Sequence, residues 1–253
     1  MKNLIINADD FGMSTEVNFA ILAVMDLDLC KDTTLLVNFE ASEHAAKLAI
    51  ATNRKNNIGI HINLTEGYPL TYNIRNESRF CNSEGLFHNK KTKRIYSLSK
   101  TEKKAVYEEI TSQIQFCRKL GIPISHADSH NHIHEEPGFL MILLDILKKE
   151  KIPFVRLTNN IGSTTLLKSF YRNTYNSILN YNNLAGTDYF GSITNLNYPS
   201  KKLKDNSFIE LMIHPGKILD NQIYDVYSKE NLSALLPAII DGNRLMSYHQ
   251  LPR

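Results

Sequence analysis

Short apolar runs alternate with longer amphipathic stretches from the start of the chain. The alternation predicts strands over 3–8, 33–38 and 57–62 and helices over 15–29 and 40–53. Helices between successive strands imply parallel pairing with right-handed crossovers. Two architectures satisfy that rule, a β/α barrel and a doubly wound sheet.

The same signals continue further along the chain. A capping box predicts a helix that starts after Ser99, because Glu102 stands three residues later, and Pro123 leads into another strand. The later pattern predicts a helix over 139–149 and strands over 152–157 and 208–213. No internal repeat or low-complexity linker divides the sequence, so we expect residues 1–253 to form a single domain.

Composition limits the classes of function. The formal net charge is only +3 and the lysines are mostly interleaved with acidic residues, so we expect no nucleic-acid partner. Three widely spaced cysteines without a CxxC motif favour a reducing compartment. No signal peptide and no membrane-length apolar run is present, which predicts a cytoplasmic protein without a membrane span. A homodimer is expected only because two-fold dimers are common.

Ionisable side chains collect at the C-terminal ends of the predicted strands. Seven residues stand at or just past such an end: Asp9, Asp10, His61, Asp128, His130, Arg156 and His214. In a parallel barrel these ends share one face, so side chains that are distant in sequence converge there. Two adjacent carboxylates where a buried strand stops are unfavourable unless they coordinate a cation or perform proton chemistry.

One carboxylate and two neutral imidazoles form a three-ligand set for a divalent ion, and Asp10, His61 and His130 supply it. An ion held in this way polarises a carbonyl and acidifies water, which suits hydrolysis of an amide or ester. Asp9 is then the predicted base, and His214 the predicted acid for the departing amine. Mg²⁺ is the first expectation, with Zn²⁺, Mn²⁺, Co²⁺ and Ni²⁺ as alternatives.

Each feature also has an ordinary explanation when it is taken alone. An Asp-Asp pair is often a helix-cap or turn device, and a single histidine after a strand is usually a surface or core residue. His130, His132 and His134 alternate at period two, which predicts one face of an extended segment. His126, His132 and His134 are expected to contact metal ligands or substrate. A two-metal phosphoesterase, a catalytically silent sugar-binding module and an iron oxygenase remain alternative functions.

Four motifs resemble those of the YdjC-like carbohydrate deacetylases, in order and spacing across residues 4–216. They are Asn7-Ala8-Asp9-Asp10-Phe11-Gly12, Gly59-Ile60-His61-Ile62-Asn63-Leu64-Thr65, Asp128-Ser129-His130-Asn131-His132-Ile133-His134 and His214-Pro215-Gly216. The resemblance implies an α/β fold in the form of a distorted, TIM-barrel-like β/α barrel. It also implies one divalent ion on the three ligands named above, with Asp9 as base and His214 as acid. The implied reaction removes acetate from an N-acetylated sugar, such as an N-acetylglucosamine oligosaccharide or a glycoconjugate.

The resemblance extends to the substrate side of the site. The segment Thr187-Asp188-Tyr189-Phe190-Gly191 resembles a family loop that lines the sugar site. By analogy, Arg156, Tyr189 and Phe190 are expected to contact substrate, within a substrate-loop region over 159–207. Residues 67–98 are polar and have no steady period, which predicts a long excursion that acts as a lid over the site.

Overall fold

Parallel strands separated by helices make up most of the chain. The structure, a computed structural model, describes residues 1–88, 96–162, 165–184, 186–197 and 203–252. The first half contains β1 (Asn3–Phe11), α1 (Thr15–Asp26), β2 (Asp32–Leu35), α2 (Ser42–Ala51), β3 (Ile58–Ile62), α3 (Tyr72–Arg75), α4 (Lys100–Lys119), β4 (Ala127–Ser129) and α5 (Leu140–Lys149). The second half contains α6 (Leu166–Tyr181), β5 (Tyr189–Ser192), α7 (Ile193–Asn197), β6 (Phe208–Ile213), β7 (Pro215–Leu219), β8 (Gln222–Asp225), α8 (Leu232–Ile240) and β9 (Arg244–Met246).

Within the described residues, seven parallel strands form one sheet in the order β4-β3-β2-β1-β6-β5, and β9 also pairs with β1. β1 is central, because Asn7 pairs with Asp32 of β2 on one side and with Met212 of β6 on the other. β7 and β8 form an antiparallel hairpin directly after β6. The parallel arrangement brings the C-terminal ends of β1, β3, β4 and β6 to the same edge of the sheet.

The sheet curls towards closure beyond β4. Ala127 N donates to Phe154 O at 2.9 Å, and Arg156 N donates to Ala127 O at 2.9 Å. The strand predicted over 152–157 is wrong in extent, because it is reduced to one bridge between Ala127 and Val155. Val155 N donates instead to Leu184 O, so this segment links β4 to the chain that leads into β5. The result is a distorted, half-closed barrel.

Local signals at two helix starts are confirmed. Ser14 Oγ accepts the Val17 N–H at 3.2 Å and begins α1. Ser99 and Glu102 form the reciprocal capping box of α4, with contacts of 3.1 and 2.7 Å. Such caps typically contribute about 1 kcal/mol each. None of the helices in the described part of the chain has the length and apolarity needed to cross a membrane.

The described part of the predicted lid is anchored to the body of the protein. Phe80 is fully buried, and Glu109 of α4 accepts the Thr71 N–H at 2.8 Å. Residues 67–88 are therefore held by a polar contact with α4 and by the Phe80 side chain, whose ring contacts the ring of Phe139. The remaining part of the predicted lid, residues 89–95, lies outside the described residues.

Candidate metal centre and active site

The end of β1 carries the two aspartates and is irregular. β1 continues three residues past its predicted end, and its register against β2 shifts between Ala8 and Phe11. Asp10 has a φ of 72°, in the left-handed region that side chains rarely occupy. A bulge of this kind re-aims side chains, so Asp9 and Asp10 serve different partners. Gly12 completes the turn, because a Cβ there would lie 2.5 Å from Leu36 O.

Three donor atoms converge at Asp10. Asp10 Oδ1 lies 3.2 Å from His61 Nε2 and 2.8 Å from His130 Nδ1. Two donors that bind one ion at about 2.1 Å and at right angles are about 3 Å apart, so these spacings suit one divalent ion. Burial would raise the pKa of Asp10, but the two imidazoles hold that pKa well below its usual range. An ionised carboxylate beside two imidazoles is a sound donor set for a cation.

The outer nitrogens of both imidazoles face carboxylates. His61 Nδ1 lies 2.6 Å from Asp128 Oδ1, and Thr34 Oγ1 donates to Asp128 Oδ2 at 3.0 Å. His130 Nε2 is buried without a hydrogen-bond partner among the described residues, and Glu66 Oε1 lies 3.6 Å from it. A carboxylate on the second nitrogen fixes the orientation of a metal-binding imidazole and raises its basicity.

Arg156 binds the Asp9 carboxylate through two hydrogen bonds. Its Nη1 and Nη2 atoms each donate to Asp9 at 2.6 Å, while Nε donates to Glu210 at 2.7 Å and Nη1 lies 2.8 Å from Asp128. Burial would raise the pKa of Asp9, but the Arg156 guanidinium holds that pKa well below its usual range. Asp9 is therefore an ionised and firmly oriented carboxylate next to the metal donors.

His214 stands on the other side of Asp9. His214 Nε2 lies 3.9 Å from Asp9 Oδ2, and His214 Nδ1 lies 3.8 Å from Asp225 Oδ2. Asp225 also accepts the His214 backbone N–H at 2.7 Å, which fixes the residue against the β7–β8 hairpin. Burial would lower the pKa of His214, but Asp225, Asp9 and Asp10 raise it above its usual value. A protonated imidazole at this position can donate a proton.

Comparison with known proteins shows the family of the chain. The chain matches the family of YdjC-like proteins over residues 3–244. It belongs to that family. A Clostridium beijerinckii relative named carbohydrate deacetylase is 30% identical over 238 residues, covering 87% of this chain and 86% of the relative. A Vibrio parahaemolyticus relative of the same name is 35% identical over 152 residues, a match that spans 59% of this chain and only 57% of the relative.

A solved structure supports the fold. It is a protein from Enterococcus faecalis V583 whose suggested role is cellobiose-phosphate cleavage. It superimposes with a TM-score of 0.73 over 98% of both chains, at 20% identity. At that identity the likeness concerns the fold alone, and it confirms the predicted α/β, barrel-like class.

The candidate site of this YdjC-like protein opens into a pocket of about 370 Å³. Five predicted site residues line it: Asp9, Asp10, His61, His130 and His214. The region over 159–207 contributes Ser192, Ile193 and Thr194. No residue of the described stretches 67–88 and 96–98 is part of the lining.

The three predicted substrate contacts lie elsewhere. Arg156 and Phe190 are fully buried, with the guanidinium 4.8 Å from the centre of the Phe190 ring. Tyr189 is 8% exposed and belongs to the core. None of the three lines the pocket. The Arg156 guanidinium contacts the Asp9 carboxylate, and the Phe190 ring packs against the guanidinium. Direct contact with substrate stays a prediction from the family resemblance.

The histidine-rich segment is a turn and not the extended segment that its alternation predicted. Residues 130–135 form short 3₁₀ turns that are interrupted by a kink, because Asn131 and His132 have left-handed φ values of 53° and 51°. His132 lines the pocket, whereas His134 Nδ1 lies 2.6 Å from Ser129 Oγ.

His126 is separated from the pocket. Its ring stacks on Tyr248 at a centroid distance of 3.8 Å, and its Nε2 lies 3.1 Å from Asn7 Oδ1. Asn7 Nδ2 in turn donates to Asp9 at 2.8 Å. His126 therefore reaches the proposed base only through Asn7.

Two buried carboxylates that contact site residues were missed in the sequence analysis. Glu210 stands inside the apolar strand Phe208–Ile213, and a charge in such a strand is itself a signal that a buried partner exists. Asp225 is the last residue of the β7–β8 hairpin, and nothing in its local pattern distinguishes it from a surface turn residue. Its proximity to His214 depends on how the hairpin folds back.

Proposed function

We propose that this YdjC-like protein is a metal-dependent hydrolase that removes acetate from an N-acetylated sugar. One observation carries the proposal: the donor atoms of Asp10, His61 and His130 converge beside an ionised Asp9 and a protonatable His214 in one pocket. The name carbohydrate deacetylase, borne by several relatives, agrees with it. A cytoplasmic location and a homodimer stay predictions from the sequence.

The three donors would hold one divalent ion. Such an ion supplies Lewis acidity towards water and towards the amide carbonyl. Mg²⁺ is our first candidate from the family resemblance, while Zn²⁺, Mn²⁺, Co²⁺ and Ni²⁺ also accept imidazole and carboxylate donors. The donor set does not favour an iron oxygenase over these, and acetate release without oxygen would separate the two.

The residues of the chain perform the proton steps. Asp9 Oδ2 accepts a proton from the attacking water, because Arg156 keeps this carboxylate ionised and aims it. His214 Nε2 gives a proton to the departing amine nitrogen as the amide C–N bond breaks. Asp225 holds the imidazole by its backbone and side chain. The products are acetate and the free amino sugar.

A two-metal phosphoesterase fits the geometry less well. A second cluster of donors exists at Asp9, His61 and Asp128. Two carboxylates of this cluster are already paired with Arg156, because Nη1 lies 2.6 Å from Asp9 Oδ2 and 2.8 Å from Asp128 Oδ2. A second ion there would have to displace a fully buried guanidinium, which is strongly unfavourable.

The direct test measures acetate. The purified protein is incubated with N-acetylglucosamine oligomers and with lipid- or nucleotide-linked N-acetyl sugars, with and without chelator, and phosphate is measured in parallel. We expect acetate from at least one sugar, suppression by chelator and recovery on adding a divalent ion. Phosphate release from a phosphoester without acetate would favour the phosphoesterase. Sugar binding without either product would favour a silent sugar-binding module.

A further inference from the structure

Tyr227 occupies the rim of the pocket directly after β8. It lines the pocket and yet 61% of its surface is exposed, which is unusual for a large aromatic residue beside a catalytic centre. Its ring meets the His214 ring edge-on, with centroids 4.6 Å apart and planes at 86°. The Tyr227 ring is therefore positioned beside the proposed acid, with most of its surface open to a ligand.

The position of Tyr227 is determined by its backbone. Asp225 Oδ1 accepts the Tyr227 N–H at 3.0 Å and the Ser228 N–H at 2.8 Å. The other oxygen of Asp225 accepts the His214 N–H at 2.7 Å. One carboxylate thus fixes the backbone of Tyr227 and the backbone of the proposed acid together, so the position of Tyr227 at the rim is set before any ligand binds.

The lining of the pocket that Tyr227 shares combines apolar and hydroxyl-bearing groups. Ile193 and Met212 supply apolar lining, while Ser192, Thr194 and Ser228 supply hydroxyl groups. A pocket of this composition suits a ligand with an apolar face and a polar edge.

A pyranose ring in the gluco configuration has that character. Its axial C–H bonds form apolar faces, and its hydroxyl groups are directed outwards around the edge. Polarised C–H bonds are attracted to the negative face of an aromatic ring. We propose that Tyr227 is the platform on which one pyranose ring of the substrate stacks, so that the site selects ring-form N-acetyl sugars over acyclic N-acetyl amides. The proposal rests on the proposed deacetylase function and deepens it.

Kinetics on N,N′-diacetylchitobiose test the platform in the metal-loaded full chain. We expect Tyr227→Ala to raise KM by about tenfold, a typical effect of losing one aromatic contact. Tyr227→Phe keeps the ring and should raise KM far less. A residue that merely positioned His214 would instead lower kcat at constant KM, and that result would overturn the platform. Tyr181→Ala is the matched control, since Tyr181 is 89% exposed and is not among the described residues that line the pocket.

A second measurement is independent of catalysis. The chain contains no tryptophan, so Tyr227→Trp places a single tryptophan at the platform, and its emission can be excited separately from that of the tyrosines. We expect its emission to change in a saturable way with diacetylchitobiose and to respond much less to N-acetylethanolamine. Tyr181→Trp should respond to neither.

The two measurements separate the two proposals. An emission change without acetate release from any sugar would remove the deacetylase function and leave Tyr227 as a sugar platform. Acetate release with no emission change and an unaltered KM in Tyr227→Ala would leave the deacetylase and overturn the platform.

Discussion

At the scale of single residues, the environment of Arg156 determines what Asp9 can do. The guanidinium is fully buried and contacts the carboxylates of Asp9, Asp128 and Glu210. Tyr248 Oη donates to Glu210 at 2.5 Å. A continuous chain of hydrogen bonds therefore runs from Tyr248 through Glu210 and Arg156 to Asp9, the proposed general base. Such a chain fixes both the charge and the direction of Asp9.

Asp9→Asn tests the assigned base. Removing a general base typically lowers the rate by about 10²–10⁴-fold, so we expect kcat for acetate release to fall within that range. Metal stoichiometry, measured by elemental analysis, should not change, because Asp9 is outside the three-donor set. Some loss of thermal stability is expected, since the buried Arg156 loses one of the three carboxylates that it contacts. A metal-loaded variant that works at the parental rate would refute the role of Asp9.

Asp10→Ala tests the metal centre. We expect the purified variant to lose its divalent ion after dialysis, because Asp10 Oδ1 is the donor closest to both imidazoles. His61→Ala should behave in the same way. His132→Ala is the control, since it lines the pocket but does not belong to the three-donor set, and it should keep one ion per chain. Stoichiometric metal in folded Asp10→Ala would contradict the ligand set.

At the scale of elements, the close approach of β3 to the start of β4 at Gly59 helps to position the site. Gly59 in β3 pairs with Thr34 of β2 and lies against His126. A Cβ at Gly59 would lie 2.7 Å from both the His126 ring and the His126 carbonyl oxygen. The close approach keeps β3 in register, and this register places His61 next to Asp128 of β4.

Gly59→Ala should therefore destabilise the protein through steric overlap. Overpacking of a core typically costs about 1–3 kcal/mol, and we expect a loss of unfolding free energy in that range in urea titrations. Gly242→Ala is the comparison, because its Cβ meets nothing within 4 Å and only its φ of +71° opposes the substitution. Equal stability of Gly59→Ala and the parent would show that β3 can shift without loss.

At the scale of the whole molecule, the C-terminal segment closes the base of the barrel. Ser247 Oγ donates to Asp32 Oδ1 at 2.5 Å, and Tyr248 N donates to Asp32 Oδ2 at 3.2 Å. Asp32 belongs to β2 and is fully buried, so the contact joins the segment after β9 to the second strand of the sheet. Burial raises the pKa of Asp32 from 3.8 to about 7, despite hydrogen bonds from Ser247 and Tyr248 that lower it.

This raised pKa predicts a pH dependence of stability. Between the unfolded pKa of 3.8 and the folded pKa of about 7, the folded state binds the Asp32 proton more tightly. The free energy of unfolding should therefore fall as pH rises through this window, by up to about 4 kcal/mol. Asp32→Asn cannot titrate and should lose that part of the slope. Glu210, whose pKa burial also raises to about 7, keeps its own part. An identical slope in Asp32→Asn and the parent would contradict the assignment.

Much of the fold could be read from local patterns. The spacing of apolar residues located β1, β3 and β6, and the capping residues Ser14 and Ser99 located two helix starts. These signals depend on neighbours a few residues apart, so they are visible in a linear sequence. The alternation at His130, His132 and His134 misled because the left-handed backbone at Asn131 and His132 turns the chain, and a period of two in the sequence does not reveal such a turn.

The residue types of the candidate site and their order along the chain were legible without any structure, since Asp9, Asp10, His61 and His214 each end or follow an apolar run and His130 lies in a histidine-rich cluster. Their partners were not. Arg156 holds Asp9 across 147 residues of chain, and Asp225 reaches His214 only because a hairpin turns back. Such pairings follow from strand order and register, which many distant contacts set together, whereas short-range spacing carries no record of them.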